Sequence, residues 1–132
     1  MSLSTLELIN EPGVVIAIVG ASDNPEKFGH DIYRDMKRKG YRIFPVNPNR
    51  QTVDGDKAYP NLQSLPENPD IANLVVPPEV SLLVAKECLR LGILNLWLQP
   101  GAESPEVLEF MQEYRLNYVS GACIMLKTRK AK

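Results

Sequence analysis

Gly20-Ala21-Ser22-Asp23-Asn24-Pro25 follows an unbroken β-branched run and leads into a helix-forming stretch. A glycine at such a junction lets the backbone approach a phosphate, and unpaired amides at the following helix end can hold the negative charge. The dinucleotide fingerprint is incomplete, because Ser22 stands where a second glycine belongs and the next glycine is Gly29. Gly20 therefore reads as a phosphate-loop glycine or as a plain tight-turn glycine, and its place after a first strand favours the former. On that reading Gly20→Val weakens nucleotide binding but leaves a folded protein.

The tip of the second strand tests which nucleotide could bind. An NAD site wants an acid there, about 20–30 residues after the glycine loop, to hold the ribose hydroxyls. The tip is Val46-Asn47-Pro48-Asn49-Arg50, without an acid, and Asp54 lies too far along the chain. Arg50 instead suits a phosphorylated ribose, because a guanidinium fork matches phosphate oxygens. NADP and coenzyme A both satisfy that condition, and NAD does not. The other reading of Arg50 is a solvated loop cation.

The remaining chemistry-bearing side chains read more plainly. His30 opens a helix with no Ser, Cys or paired carboxylate set beside it, so a capping or surface role is expected. Cys88 falls on an apolar helix face, whereas Cys123 follows the last strand and stands open as a thiol of either kind. Trp97 lies in a strand of Ile and Leu and reads as core. Glu103 and Glu106 flank a helix start, where carboxylates complement the dipole. With no general acid–base pair in these loops, neither hydride transfer nor thioester hydrolysis is expected.

Elements must hold these loops together, and the chain is long enough to supply them. Its 132 residues suit one domain with one core, and 44% hydrophobic against 23% charged residues is ordinary globular composition. Fifteen Lys and Arg against 16 Asp and Glu leave a net charge of −1, with no footprint for nucleic acid or an anionic membrane. Two cysteines and one histidine rule out a classical Cys/His zinc cluster, and no metal site is expected. The apolar runs Val14–Val19 and Ile93–Leu98 are too short for a membrane span, and no signal peptide is visible. A protein of the reducing cytoplasm is expected.

The pattern alternates strand and helix. Ser4 and Glu7 form a capping box for an opening helix within residues 1–13, with Leu3 and Leu8 as its hydrophobic staple. Strands are read at Val14–Val19, Tyr41–Val46, Ile71–Val76, Ile93–Leu98 and, more weakly, Asn117–Ser120. Helices are read at His30–Lys39, at Glu79–Leu91 with an apolar face of Val80, Val84, Cys88 and Leu91, and after Ser104-Pro105. That last helix is expected to bury Val107, Leu108, Met111 and Tyr114. Asp54-Gly55 and Tyr59-Pro60-Asn61 mark turns in an irregular crossover. Lys127-Thr128-Arg129-Lys130-Ala131-Lys132 reads as a frayed basic tail. The fold class is α/β: a Rossmann-like, open, mostly parallel five-stranded sheet with helices on both faces. Ligands then bind beyond the strand carboxyl ends, near the point where strand order reverses.

Several segments in order carry a resemblance. Val15–Gly20-Ala21-Ser22, Gly40–Val46-Asn47-Pro48, Tyr59-Pro60-Asn61-Leu62, Val75-Val76-Pro77-Pro78 and Trp97-Leu98-Gln99-Pro100-Gly101 resemble the small stand-alone CoA-binding proteins. Those proteins are similar to the nucleotide-binding domain of the succinyl-CoA synthetase α subunit. The resemblance spans residues 14–125 and implies roles. Gly20, Ala21 and Ser22 would hold the CoA pyrophosphate. Val46, Asn47 and Pro48 would flank the adenosine, with Arg50 for its 3′-phosphate and Lys27 as a lesser second cation. Val76, Pro77 and Pro78 would form an apolar wall, and Gln99, Pro100 and Gly101 would approach the pantetheine arm. The chain departs from the family at Val75-Val76, where many members carry basic residues, and at Gly121-Ala122 before Cys123. The synthetase's catalytic histidine belongs to a further domain. The resemblance implies a single domain that binds CoA or an acyl-CoA without catalysis. The rivals are an NADP-binding oxidoreductase module and a regulatory or interaction subunit that keeps the fold.

Overall fold

The computed structural model describes residues 4–132. In chain order the elements are α1 (Thr5–Leu8), β1 (Val15–Val19), α2 (Phe28–Arg38), β2 (Arg42–Val46), β3 (Thr52–Val53) and β4 (Asp56–Lys57). There follow β5 (Ile71–Leu74), α3 (Pro78–Leu91), β6 (Asn95–Leu98), α4 (Pro105–Glu113), β7 (Asn117–Val119) and a 3-10 turn at Ile124–Leu126. Five strands form one parallel sheet in the order β2-β1-β5-β6-β7. Strand order reverses between β1 and β5, which sets a crevice beyond their carboxyl ends. The expected five-stranded α/β architecture is present.

β1 explains why the sheet is covered on both sides. Ile16 and Ile18 join one core with α2 residues Ile32, Tyr33 and Met36, while Ala17 and Val19 join a second core with Ala85, Cys88, Val107 and Met111. A strand buried on both faces needs a continuous apolar run, and Val15–Val19 is one. The capping box at Ser4 and Glu7 is formed. Leu3, the expected staple partner of Leu8, lies outside the described residues.

Four local expectations are corrected. α3 buries Ser81, Ala85 and Cys88 rather than Val80, Val84 and Leu91. Small residues let the helix sit close to the sheet, so the smaller stripe faces inward. On α4, Tyr114 is 49% exposed, because the helix ends at Glu113 and its aromatic ring stacks on Phe110 at 4.7 Å instead. The crossover is not wholly irregular: Asp54 and Gly55, at φ +50° and +80°, close a β3–β4 hairpin. The basic tail is not frayed. Lys39 Nζ donates to Met125 O and Thr128 Oγ1, and Ala131 N donates to Lys39 O.

Candidate functional site

Where β1 ends, the backbone is fastened to both neighbouring strands. Gly20 N donates to Val46 O at 2.9 Å, and Val75 N donates to Val19 O at 2.8 Å. Gly20 sits at φ +100°, and a Cβ there would lie 2.2 Å from Val75 O. Glycine is therefore required by the fold itself as well as by any ligand. The expectation that Gly20→Val leaves the fold intact is accordingly withdrawn. Gly29, one residue into α2, packs as closely: a Cβ on it would lie 2.0 Å from Gly20 O. Gly29 thus does what the third glycine of a dinucleotide fingerprint does, bringing helix against strand. Its nine-residue separation from Gly20 lies outside the spacing of the dinucleotide fingerprint.

Side chains hold the loop between these glycines. Asn47 Nδ2 donates to Ala21 O at 2.8 Å, and Asn47 Oδ1 accepts from Asn49 N. Ser22 Oγ accepts from Asn24 N, and Asn24 Oδ1 accepts from Glu26 N. The chain then enters α2, where His30 N donates to Lys27 O at 3.0 Å and the Phe28 and Gly29 amides lack intrahelical partners. Ala21 and Ser22 are buried, and the Gly20 and Ala21 amides are taken by Val46 O and Ile18 O.

Asp23 joins the loop to the hairpin. Its Oδ1 accepts from Asp54 N at 2.7 Å and its Oδ2 lies 3.9 Å from Arg50 Nη1. Asp54, remote along the sequence, is therefore folded back onto the glycine loop. Its own carboxylate pairs with Lys37, which also pairs with Asp56 at 2.9 Å. A hydrogen bond from Tyr33 and then Lys37 lower the Asp56 pKa, while burial and the Asp56 bond raise that of Tyr33. The hairpin is clamped to α2, and Arg50 at its base is held beside the loop.

Two hollows open along the strand ends. A cavity of about 330 Å³ is lined by Val19, Gly20 and Val46–Asn49, by Pro60–Leu62, and by Val76, Val80, Val84 and Glu87. A groove of about 370 Å³ runs from Phe28 along Val75–Pro78 to Pro100, Gly101 and Ala102. Val76 belongs to both. Of the expected site residues, Gly20, Val46, Asn47, Pro48 and Val76 meet in the cavity, and Val76, Pro77, Pro78, Pro100 and Gly101 meet in the groove. Arg50 lines neither, and Gln99 is turned inward. Its Oε1 accepts from Ile124 N at 2.9 Å and its Nε2 donates to Cys123 Sγ at 3.2 Å, so it braces the loop after β7. Val80, Val84, Glu87 and Phe28 were missed. Val80 and Val84 were expected on the core face of α3, and Glu87 shares their side of the helix.

Residues 14–129 match the family described as the CoA binding domain. The chain belongs to that family. It is 27% identical over 120 residues to the α subunit of an ADP-forming acetate–CoA ligase II of Pyrococcus furiosus, matching 83% of this chain but 26% of the subunit. An uncharacterized protein of Bacillus subtilis is 32% identical over 109 residues, covering 83% of this chain and 81% of its own length. A solved structure of a conserved hypothetical protein of Pyrococcus furiosus superimposes with a TM-score of 0.84 at 45% identity, covering 87% of this chain and 99% of that one. The chain's relatives thus include both proteins of about its size and longer ligase subunits, of which it spans about a quarter. Among the described residues no helix is long and apolar enough to cross a membrane.

The two thiols of this family member differ sharply in setting. Cys88 is fully buried, and burial, then the neighbouring Glu87, push its thiol up to about 12. Cys123 is half-buried beside Gln99. An alkylating reagent at pH 8 should label Cys123 in the native protein and reach Cys88 only after unfolding. Peptide mass spectrometry reads the outcome, and native labelling of Cys88 would contradict the packing of α3.

Proposed function

We propose that this protein binds coenzyme A or an acyl-CoA across the carboxyl ends of its strands and performs no reaction of its own. The observation that carries the reading is that the cavity beside Gly20 and the groove ending at Pro100 and Gly101 lie along the same strand ends and share Val76 as a wall. On this reading the Ser22 amide and the amides at the start of α2 meet the pyrophosphate beside Gly20 and Ala21, whose own amides are committed to Val46 O and Ile18 O, with Val46, Asn47 and Pro48 against the adenosine. The Pro77, Pro78 and Pro100 groove lies under the pantetheine arm. Arg50, only loosely paired with Asp23, is available to the 3′-phosphate.

Three observations support the absence of chemistry. His30 Nδ1 bonds its neighbour Asp31 at 3.0 Å, Glu103 Oε1 accepts from Gly101 N, and Cys123 is contacted by an amide rather than a base. None of these pairs sets a nucleophile against a general base. Ligation is the named activity of relatives that this chain matches over only a fraction of their length.

Native mass spectrometry of the purified protein should reveal retained CoA or acyl-CoA; retained NADP would favour the oxidoreductase rival. Calorimetry should then rank CoA above dephospho-CoA. A hydrogen bond to a charged group contributes about 1.5–3 kcal/mol, or roughly 10- to 100-fold in affinity. Arg50→Ala should lose most of that preference, and added salt should shrink it. Equal binding of both ligands by the unmodified protein removes Arg50 from the site.

A further inference from the structure

Along α3, Val80, Val84 and Glu87 share one face and form a wall of the cavity. At 1.5 Å per residue, Glu87 lies roughly 10 Å along the helix from Val80, near which Val76 meets the Gly20 loop. A nucleotide spans a similar distance from its 5′-phosphate to the far edge of its base. Glu87 alone among the lining residues carries a charge.

Its carboxylate is under-used. It accepts from Leu62 N and Gln63 N, both at 3.4 Å, which is long for an N–H···O bond. A carboxylate offers about four lone-pair sites, so acceptor capacity remains. Among the neighbouring side-chain amides, Asn47 is committed to Ala21 and Asn49 N, and Asn61 Oδ1 to Ser64 N. Val46 and Pro48 from the β2 end and Val80 and Val84 from α3 supply apolar surface for the faces of a planar ring.

We propose that Glu87 accepts a hydrogen bond from the exocyclic amino group of a purine base seated in this cavity, selecting adenine nucleotides over those lacking that group. The inference rests on the CoA reading above and adds its base specificity.

The test is calorimetry with CoA and with its analogue carrying hydrogen in place of the 6-amino group. That analogue is chosen over a 6-oxo base, which would bring a new N1–H that a carboxylate could accept. The unmodified protein should prefer CoA by roughly 10- to 100-fold. Glu87→Ala should bind the two ligands equally. If Glu87 only steadied Leu62 and Gln63, both ligands would weaken together and the ratio would persist. Glu87→Gln, which keeps the size and one acceptor, guards against misfolding of the alanine variant and should cut the ratio to below about tenfold. An undiminished ratio in either folded variant, or equal binding by the unmodified protein, overturns the role of Glu87 while leaving CoA binding standing. Failure of both ligands to bind the unmodified protein removes both proposals.

Discussion

Gly29→Ala should destabilise the protein, although the same change in an ordinary helix stabilises it. Helix propensity alone favours alanine over glycine by about 1 kcal/mol. Here the added Cβ would lie 2.0 Å from Gly20 O, 2.9 Å from Gly20 C and 3.3 Å from Ala21 Cα. All three are backbone atoms of a loop tied to both flanking strands, so no side chain can swing aside. Either α2 must back away from the sheet or the end of β1 must move. Forcing an extra carbon into a packed contact typically costs 1–3 kcal/mol. Less the propensity gain, the net loss is up to about 2 kcal/mol, and at about 4 °C per kcal/mol for a chain of this size the melting midpoint should fall by up to roughly 8 °C. CoA affinity should fall by roughly tenfold or more, one charge-assisted hydrogen bond's worth, because the displaced amides are those assigned to the pyrophosphate. Calorimetric melting and titration measure the two effects. A raised midpoint would show that the helix–loop contact is looser than described.

The packing role of Gly29 is not legible in its local sequence. The β1 run and its terminal Gly20 are local signals, and so are Ser104-Pro105 at the α4 start and Gly92 at the α3 end. Each names its own element, and strand–helix alternation then leaves few topologies. Gly29 is different, because what it contacts lies in another element and no local pattern announces a close approach. The cavity lining on α3 was hidden for a similar reason. Val80 and Val84 have the spacing of a buried stripe with Cys88, and only the sheet's position tells that Ser81 and Ala85 join Cys88 against it instead. The hairpin followed from Asp54-Gly55 in principle, yet strands of two residues carry too little alternation to be seen. Its attachment to Asp23, Tyr33 and Lys37 is a tertiary fact. The resemblance implies that Gln99 approaches the pantetheine arm, but alternation beyond Trp97 turns it into the core, where it holds Ile124.

Trp97→Ala should bring the largest loss of stability. Trp97 is fully buried in β6, in register with Asn73 and Val119, and its Nε1 donates to Ala122 O at 2.9 Å. Truncating a buried tryptophan costs about 3–5 kcal/mol, a large share of the 5–15 kcal/mol typical of a whole domain. Trp97→Phe separates the two contributions. It keeps most of the apolar contact but removes the donor to Ala122, which should cost about 1–3 kcal/mol. The two variants should also differ in where they loosen the protein. The Ala122 carbonyl and the Gln99 bonds to Ile124 and Cys123 together hold the loop after β7. Removing the indole N–H releases one of these ties, so Trp97→Phe should speed alkylation of Cys123 while leaving Cys88 protected. Denaturant unfolding followed by circular dichroism gives the stabilities, because the lone tryptophan is lost as a fluorescent probe. A loss under about 1 kcal/mol in Trp97→Ala would mean that the site can collapse around the missing ring, contrary to the packing of both cores against β6.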